Sequence, residues 1–352
     1  PPLSTRRPNG GTMRTAAFAE LTGPDGVELL ERPDPDPDAG EAVVNVEACS
    51  INRHDLWILQ GDSAMVDASD LPFVSGLDVA GTVRAVGDGV TGVEPGDRVV
   101  LCPNETCGTC RFCREGPENL CENFSLYHGG LAERALVAAD RLVSLPDAVD
   151  TTTAAALPTA YLTAFHMLRR AEVGPNDLVF VPGATGGVGV AGVQLAAVLG
   201  ARTVGTSSSA SKLDRLTELG LDHAVESTDP DEIRPAVADV GPADAVLNHL
   251  GGAYTQLGLD ALRRGGRMVV CGRTAGRYSE IDIPDLFLRH KSVVGSTMGT
   301  QADLERLVGL VADGRLDPEI DETFPLDSTG AAFRTMRDRE SVGKLVVTNE
   351  TA

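Results

Sequence analysis

Short runs in which β-branched residues cluster or alternate dominate residues 13–150: MRTAAFAE, EAVVNVEAC, DVAGTVRAVG, DRVVLC and RALVAADRLVSL. Gly, Pro and Asp punctuate them, so the pattern predicts short strands joined by turns in a small, irregular β-rich domain. PDPDPD (33–38) reads as an exposed polar connection. From about residue 155 the period changes. AAALPTAYLTAFHMLRRA predicts a helix bearing one proline, DLVFVPG a buried strand, and TGGVGVAGVQLAAVLG a glycine turn opening an apolar helix. ARTVGTS, SASKLDRLTELG, DAVLNHLGG, a helix ending at LRRGG, and RMVVCG continue the strand–helix alternation. Such alternation predicts an α/β fold with a parallel, doubly wound sheet. After KSVVGSTMG, the helix QADLERLVGLVADG and the strand KLVVT are expected to return to the first domain.

Composition narrows the class. A chain of 352 residues, 42% hydrophobic, is long enough for two cores. No apolar run approaches the ~20 residues of a membrane helix, and the N-terminal region lacks a signal peptide's apolar stretch. Residues 1–12, PPLSTRRPNGGT, read as a disordered extension or an upstream start-site artefact. Net charge is −21, with 51 acidic against 30 basic residues spread along the chain, and only Lys212, Lys291 and Lys344 are lysines. Dispersed acidity of this size keeps proteins soluble in salt and leads us to expect the cytoplasm of a halophile. The same acidity argues against nucleic acid as a partner, which would require a basic face.

Two motifs carry chemistry. In CGTCRFCREGPENLC, Cys107, Cys110, Cys113 and Cys121 have spacing suited to one tetrahedral structural Zn²⁺ with no open position; disulfides or free thiols are the alternatives. Seven cysteines with four assigned to metal fit a reducing compartment. GATGGVG (183–189) lies between a predicted strand and helix, the context of a dinucleotide turn. Gly183, Thr185, Gly186, Gly187, Val188 and Gly189 would let backbone approach a pyrophosphate at the helix N-terminus. Where an NAD site carries a carboxylate for the ribose, this chain has Ser207 and Ser208 with Lys212 beyond. Hydroxyls and an ammonium suit a 2′-phosphate, so NADP(H) is the expected cofactor; an ordinary solvated Lys212 is the alternative.

Taken with GDRVV (96–100), GGLAE (129–133) and GKLVV (343–347), these motifs resemble the medium-chain dehydrogenase/reductase superfamily over nearly all of residues 13–349. INRHDLW (51–57) and LFLRHKSVVGSTMGT (286–300) look most like its quinone-oxidoreductase-type branch. The resemblance implies a GroES-like catalytic domain over 13–155 and 298–352, with the zinc lobe at about 102–124, and a Rossmann domain over 156–297. It also implies a homodimer or homotetramer.

The zinc alcohol dehydrogenases of this superfamily hold a catalytic zinc at three positions that here are Asn52, Leu77 and Thr159. Leucine cannot ligate, and an amide and a hydroxyl are poor partners beside thiolate and imidazole. Without a Lewis acid, oxidising an alcohol is hard, whereas a quinone, enone or other conjugated carbonyl needs only donors for the developing oxyanion. Asn52 and His54 are the expected catalytic groups, His54 as proton source, unless its ring bonds cofactor or backbone. By the same likeness Arg53 touches the pyrophosphate, Thr163 contacts the cofactor, and Gly272, Arg273 and Thr274 lie near the nicotinamide. His166, Cys49, Cys102 and Cys271 read as packed side chains. The expected activity is NADPH-dependent reduction of a small quinone or α,β-unsaturated carbonyl. Alternatives are a zinc alcohol dehydrogenase with a rebuilt His54/Asp78 site, and an NADPH-binding sensor with little turnover.

Overall fold

The computed structural model describes residues 11–349. The extension expected over 1–12 therefore lies outside the described residues apart from Gly11 and Thr12, and Thr12 already begins a strand. The chain forms two compact units, one running to Thr159 and resuming at Ile320, the other Ala160–Glu319.

The first unit is built on a seven-stranded sheet. From one edge it runs Ile320–Pro325, Lys344–Thr348, Glu41–Ser50, Asp78–Val86, Arg98–Leu101 and Leu142–Ser144, with Arg134–Ala138 also pairing with Glu41–Ser50. The apolar positions of EAVVNVEACS bury nearly the whole strand, and antiparallel neighbours on both sides fix its register. Its core gathers Phe18, Leu56, Leu59, Leu101, Leu131 and Phe333. A short hairpin, Asn104–Glu105 with Ser125–Leu126, closes the base of the cysteine lobe.

The second unit is a six-stranded parallel sheet. Its order is His223–Glu226, Arg202–Ser207, Leu178–Val181, Ala243–Asn248, Leu262–Val270, Ser292–Gly295. Leu178–Val181 is buried at every position, as a parallel strand covered on both faces must be. The strand His223–Glu226 and the helix Pro230–Val240 have no counterpart in the sequence reading. Four residues of mixed polarity and a helix with Pro235 inside give weak periodic signals.

Two boundaries differ from expectation. The predicted proline-bearing helix is broken: Thr151–Ala155 and Leu162–Arg170 flank a π turn, Leu157–Tyr161. Pro158 has no N–H to donate, and the ladder widens around it. The return to the first unit falls at Ile320, not at 298. Helix Gln301–Ala312 stays in the second unit because Asp303, buried, accepts from the Thr300 backbone N–H at 3.3 Å, pairs with Arg169 and Arg306, and lies 3.5 Å from His166 Nδ1. His166 is thus packed against a carboxylate, as a structural residue.

Although burial opposes it, hydrogen bonding by His166 and Thr300 with the Arg169 charge holds the Asp303 carboxyl down at about 2. A depressed carboxylate pKa stabilises the fold above its unfolded value, and that contribution is lost as pH falls through the folded one. We expect Asp303→Asn to lower unfolding free energy by about 2–3 kcal/mol at pH 7. The gap to the parent should close between about pH 4 and pH 2, read from urea unfolding across that range.

Candidate active site

The strand ends of the first unit converge on a buried carboxylate. Asp78 opens the strand beside Ser50, its register partner, and both are fully buried. Asp78 accepts from Ser50 Oγ at 2.6 Å, Asn52 Nδ2 at 2.9 Å and Thr159 Oγ1 at 2.5 Å. Lys344, first residue of the final strand, brings its ammonium to 3.5 Å from the same carboxylate. Its Nζ also donates to the Ile51 carbonyl at 3.0 Å and to Asn52 Oδ1 at 2.5 Å. Burial pushes Asp78 up and Lys344 down, each opposed by the other's charge. An ammonium and three neutral donors around the carboxylate favour its charged form against that burial.

Two of the three positions expected to have lost metal ligands, Asn52 and Thr159, therefore donate to Asp78; the third, Leu77, is buried hydrocarbon. The His54/Asp78 metal alternative finds no support in this geometry. Asp78 is committed to Ser50, Asn52, Thr159 and Lys344, and the His54 ring stacks on His128 with centroids 5.4 Å apart. These donors do not fit a catalytic zinc.

Asn52 also differs from its expected role. Its amide donates to Asp78 and, at 3.5 Å, to the Ser50 carbonyl, so both N–H groups face internal acceptors and an oxyanion would have to displace one. His54 sits in the first turn of helix Arg53–Leu59, and its Nε2 is buried with no protein partner. Arg53 donates to the Met336 carbonyl at 3.4 Å, and burial with Arg339 nearby lowers its pKa. The reading of the sequence missed Lys344 and His128. Lys344 was one of three lysines in an arginine-rich chain, which was the available signal.

Among the described residues, one group of three or more side chains has metal-binding spacing: Cys107, Cys110, Cys113 and Cys121, all sulfurs within 4.8 Å of one another. Cys107 and Cys113 sulfurs are 3.9 Å apart, Cys110 and Cys113 3.5 Å. A tetrahedral ion with ~2.3 Å Zn–S bonds requires about 3.8 Å, so the donors fit. Bonds from the backbone and hydroxyl of Thr109 and the Cys110 N–H pull the Cys107 thiol down to about 5.

In the second unit the glycine turn meets its expected context. Gly186 caps helix Gly187–Val198 at the end of the short turn that follows the strand Leu178–Val181. Gly183 takes φ 65°, and its N–H donates to Thr206 Oγ1 at 2.9 Å. A Cβ on Gly189 would stand 2.7 Å from the Ala184 backbone, so helix and turn close only on glycine. Thr185 and Val188 belong to this turn and the helix's first residues. Ser207 ends the neighbouring strand, Ser208 follows, and half-buried Lys212 lies in the first turn of helix Ala210–Glu218. Gly272, Arg273 and Thr274 leave strand Leu262–Val270, and a Cβ on Gly272 would strike the His249 carbonyl at 2.1 Å. His249, unforeseen, is pushed down to about 4 by burial despite hydrogen bonds to the Gly183 and Leu247 carbonyls. Thr163, expected on the cofactor, has its hydroxyl 3.9 Å from Met298 sulfur.

A unit built on a six-stranded parallel sheet with a glycine turn, and a β-rich unit with a four-cysteine lobe, together define an oxidoreductase of the zinc-alcohol-dehydrogenase type. Residues 38–147 match the alcohol dehydrogenase GroES-like domain and 187–313 the zinc-binding dehydrogenase domain. The chain belongs to the medium-chain dehydrogenase/reductase superfamily. It is 30% identical to an acryloyl-coenzyme A reductase of Metallosphaera sedula, over 92% of this chain and 96% of that one. A thermostable alcohol dehydrogenase from Pyrobaculum aerophilum, with cobalt and zinc bound, superposes with TM-score 0.85 at 34% identity, covering 96% and 100% of the two chains. A 2-octenoyl-CoA carboxylase reductase in complex with NADP and 2-octenoyl-CoA gives TM-score 0.87 at 25% identity, covering 97% and 88%. Among the described residues no helix is long and apolar enough to cross a membrane.

Removing one member of a buried ion pair strands the other charge, at about 3–5 kcal/mol. Lys344→Met should lower unfolding free energy by that amount. Lys344→Met with Asp78→Asn should recover more than half of it, measured by denaturant unfolding of the two variants against the parent.

Proposed function

We propose that this chain is an NADPH-dependent reductase of α,β-unsaturated carbonyl compounds, with conjugated acyl thioesters as the favoured class and quinones as the wider one. The observation that carries this reading is the Ser50–Asn52–Asp78–Thr159–Lys344 network. It fills the region of the expected ligand positions with donors unsuited to a Lewis-acid metal. Alcohol oxidation needs help in removing the hydroxyl proton. A conjugated acceptor is polarised already. The acryloyl and octenoyl groups named in the relatives are of this kind.

NADPH, when bound, would supply a hydride to the β-carbon of a conjugated acceptor, leaving the substrate as an enolate. His54 then gives a proton to the α-carbon and is left as a neutral imidazole, the general-acid role a histidine side chain can fill. The turn from Gly183 to Gly189 would hold the pyrophosphate on backbone N–H groups at the helix start. Ser207, Ser208 and Lys212 would receive the 2′-phosphate, since no carboxylate lies between Gly205 and Leu213 in the sequence to repel it. Four thiolates at Cys107, Cys110, Cys113 and Cys121 would hold one Zn²⁺ that shapes their lobe and takes no part in the reaction.

The decisive experiment measures zinc content and substrate range on one sample. The expected result is one zinc per chain, absent in Cys107→Ser, with NADPH-dependent reduction of crotonyl-CoA or 2-cyclohexenone. Two zincs per chain with alcohol oxidation would overturn it in favour of a zinc dehydrogenase. Tight NADPH binding without turnover would favour a sensor.

Cofactor choice is separately testable. Lys212→Ala should raise KM for NADPH about tenfold, the worth of one charge-assisted bond, and leave KM for NADH unchanged.

A further inference from the structure

His128, just before the Gly129–Gly130 pair, lies against His54 with the rings 23° from parallel. Phe73 meets the His128 ring edge-on at 5.1 Å. Its Nδ1 is 3.4 Å from Ser75 Oγ, and Ser75 donates its own proton to Asp55 Oδ1 at 2.5 Å. With that hydroxyl hydrogen committed to Asp55, Ser75 Oγ can only accept from the ring, so Nδ1 carries the proton and Nε2 is bare. Asp55 is fully buried and is itself fixed by the N–H groups of Asn52 at 2.8 Å and Gly76 at 3.1 Å. The Nε2 atoms of His128 and His54 are both buried and have no protein partner.

We propose that His128 is a positioning residue for His54: Asp55 and Ser75 fix its ring in the Nδ1–H tautomer, and the stacked pair carries one proton, held for release from His54. This rests on the role of His54 as proton donor proposed above. Two imidazolium rings this close repel, so the second proton enters the pair only at lower pH. The charged groups facing His128 are Asp55, which favours its protonation, Glu105 on the lobe hairpin, which does the same, and His54, which opposes it; burial opposes it most. Phe73 and Ser75 add no charge. A proton so held is retained by one ring alone and leaves readily when an enolate forms.

The test is nitrogen-15 NMR of the histidine rings in the full-length protein without substrate. His128 is expected as the Nδ1–H tautomer, with the two rings titrating in steps separated by more than about one pH unit. His54→Phe, which keeps an aromatic ring in the stack, should move the His128 titration to higher pH, and Ser75→Ala should release the tautomer. An Nε2–H tautomer at His128 in the parent, or a His128 titration untouched by His54→Phe, overturns the proposal. Neither reading depends on turnover, so the pair can fail while reduction of crotonyl-CoA persists, and absence of that reduction in the parent overturns the reductase reading alone. Where reduction is seen, His128→Phe should lower kcat by about tenfold or more, change its pH profile and leave KM for NADPH in place. An unchanged pH profile also overturns the proposal.

Discussion

The buried ion pair of Lys344 and Asp78 is the constraint around which the first unit is arranged. Taking both charges out of water costs several kcal/mol each, and only complete hydrogen bonding offsets that. Lys344 Nζ has three N–H groups and meets three acceptors: Ile51 O, Asn52 Oδ1 and Asp78 Oδ2. Those acceptors lie just past the end of one central strand, at the cap of a helix and at the beginning of the next strand. The final strand then pairs with the first of these, Val346 opposite Ser50, and Ile51 donates to Leu345 O. The end of the chain is thereby registered to its first half by charge as well as by backbone bonds.

The choice of lysine follows from the same geometry. A guanidinium is planar and larger, with a fixed fork of donors; an ammonium is compact and can aim three bonds at converging acceptors. In a chain whose positive charge is otherwise arginine, Lys291 is likewise buried, donating to Leu259 O at 2.6 Å and Asp285 at 2.7 Å. Two of the three lysines thus sit where burial demands a small cation, and the third lies in the helix after Ser207. Arginine serves where its own side chain stays partly in water, as Arg14 does with Glu133 and Arg169 with Asp303.

What was legible in the sequence was local. DLVFV followed by GATGGVG announces a buried strand and a close helix start because period, length and glycine placement all act within a few residues. EAVVNVEAC and KLVVT read as strands for the same reason. The short strand His223–Glu226 was invisible because its stability comes from pairing with Arg202–Ser207 rather than from its own pattern. The destination of Lys344 was illegible for a stronger reason: its partner Asp78 is 266 residues away. No spacing rule spans that distance, and a lysine opening a strand ordinarily reads as a solvated end. The loss of metal ligands could be read position by position. That Asn52 and Thr159 would converge on Asp78 could not, because it depends on where three separate segments meet.

This convergence bears on the chemistry more than the missing ligands do. A metal ion with an open coordination position polarises whatever enters it, because its charge is incompletely satisfied. The ammonium of Lys344 is a cation in the same neighbourhood, yet each of its protons already has an acceptor. It can hold Asn52 and Asp78 in place, and through them the start of helix Arg53–Leu59 that presents His54. It has no donor left for a substrate oxygen. On the proposed reading, electrophilic assistance comes from the substrate's own conjugation and the proton from His54, the combination a reductase of conjugated carbonyls would require.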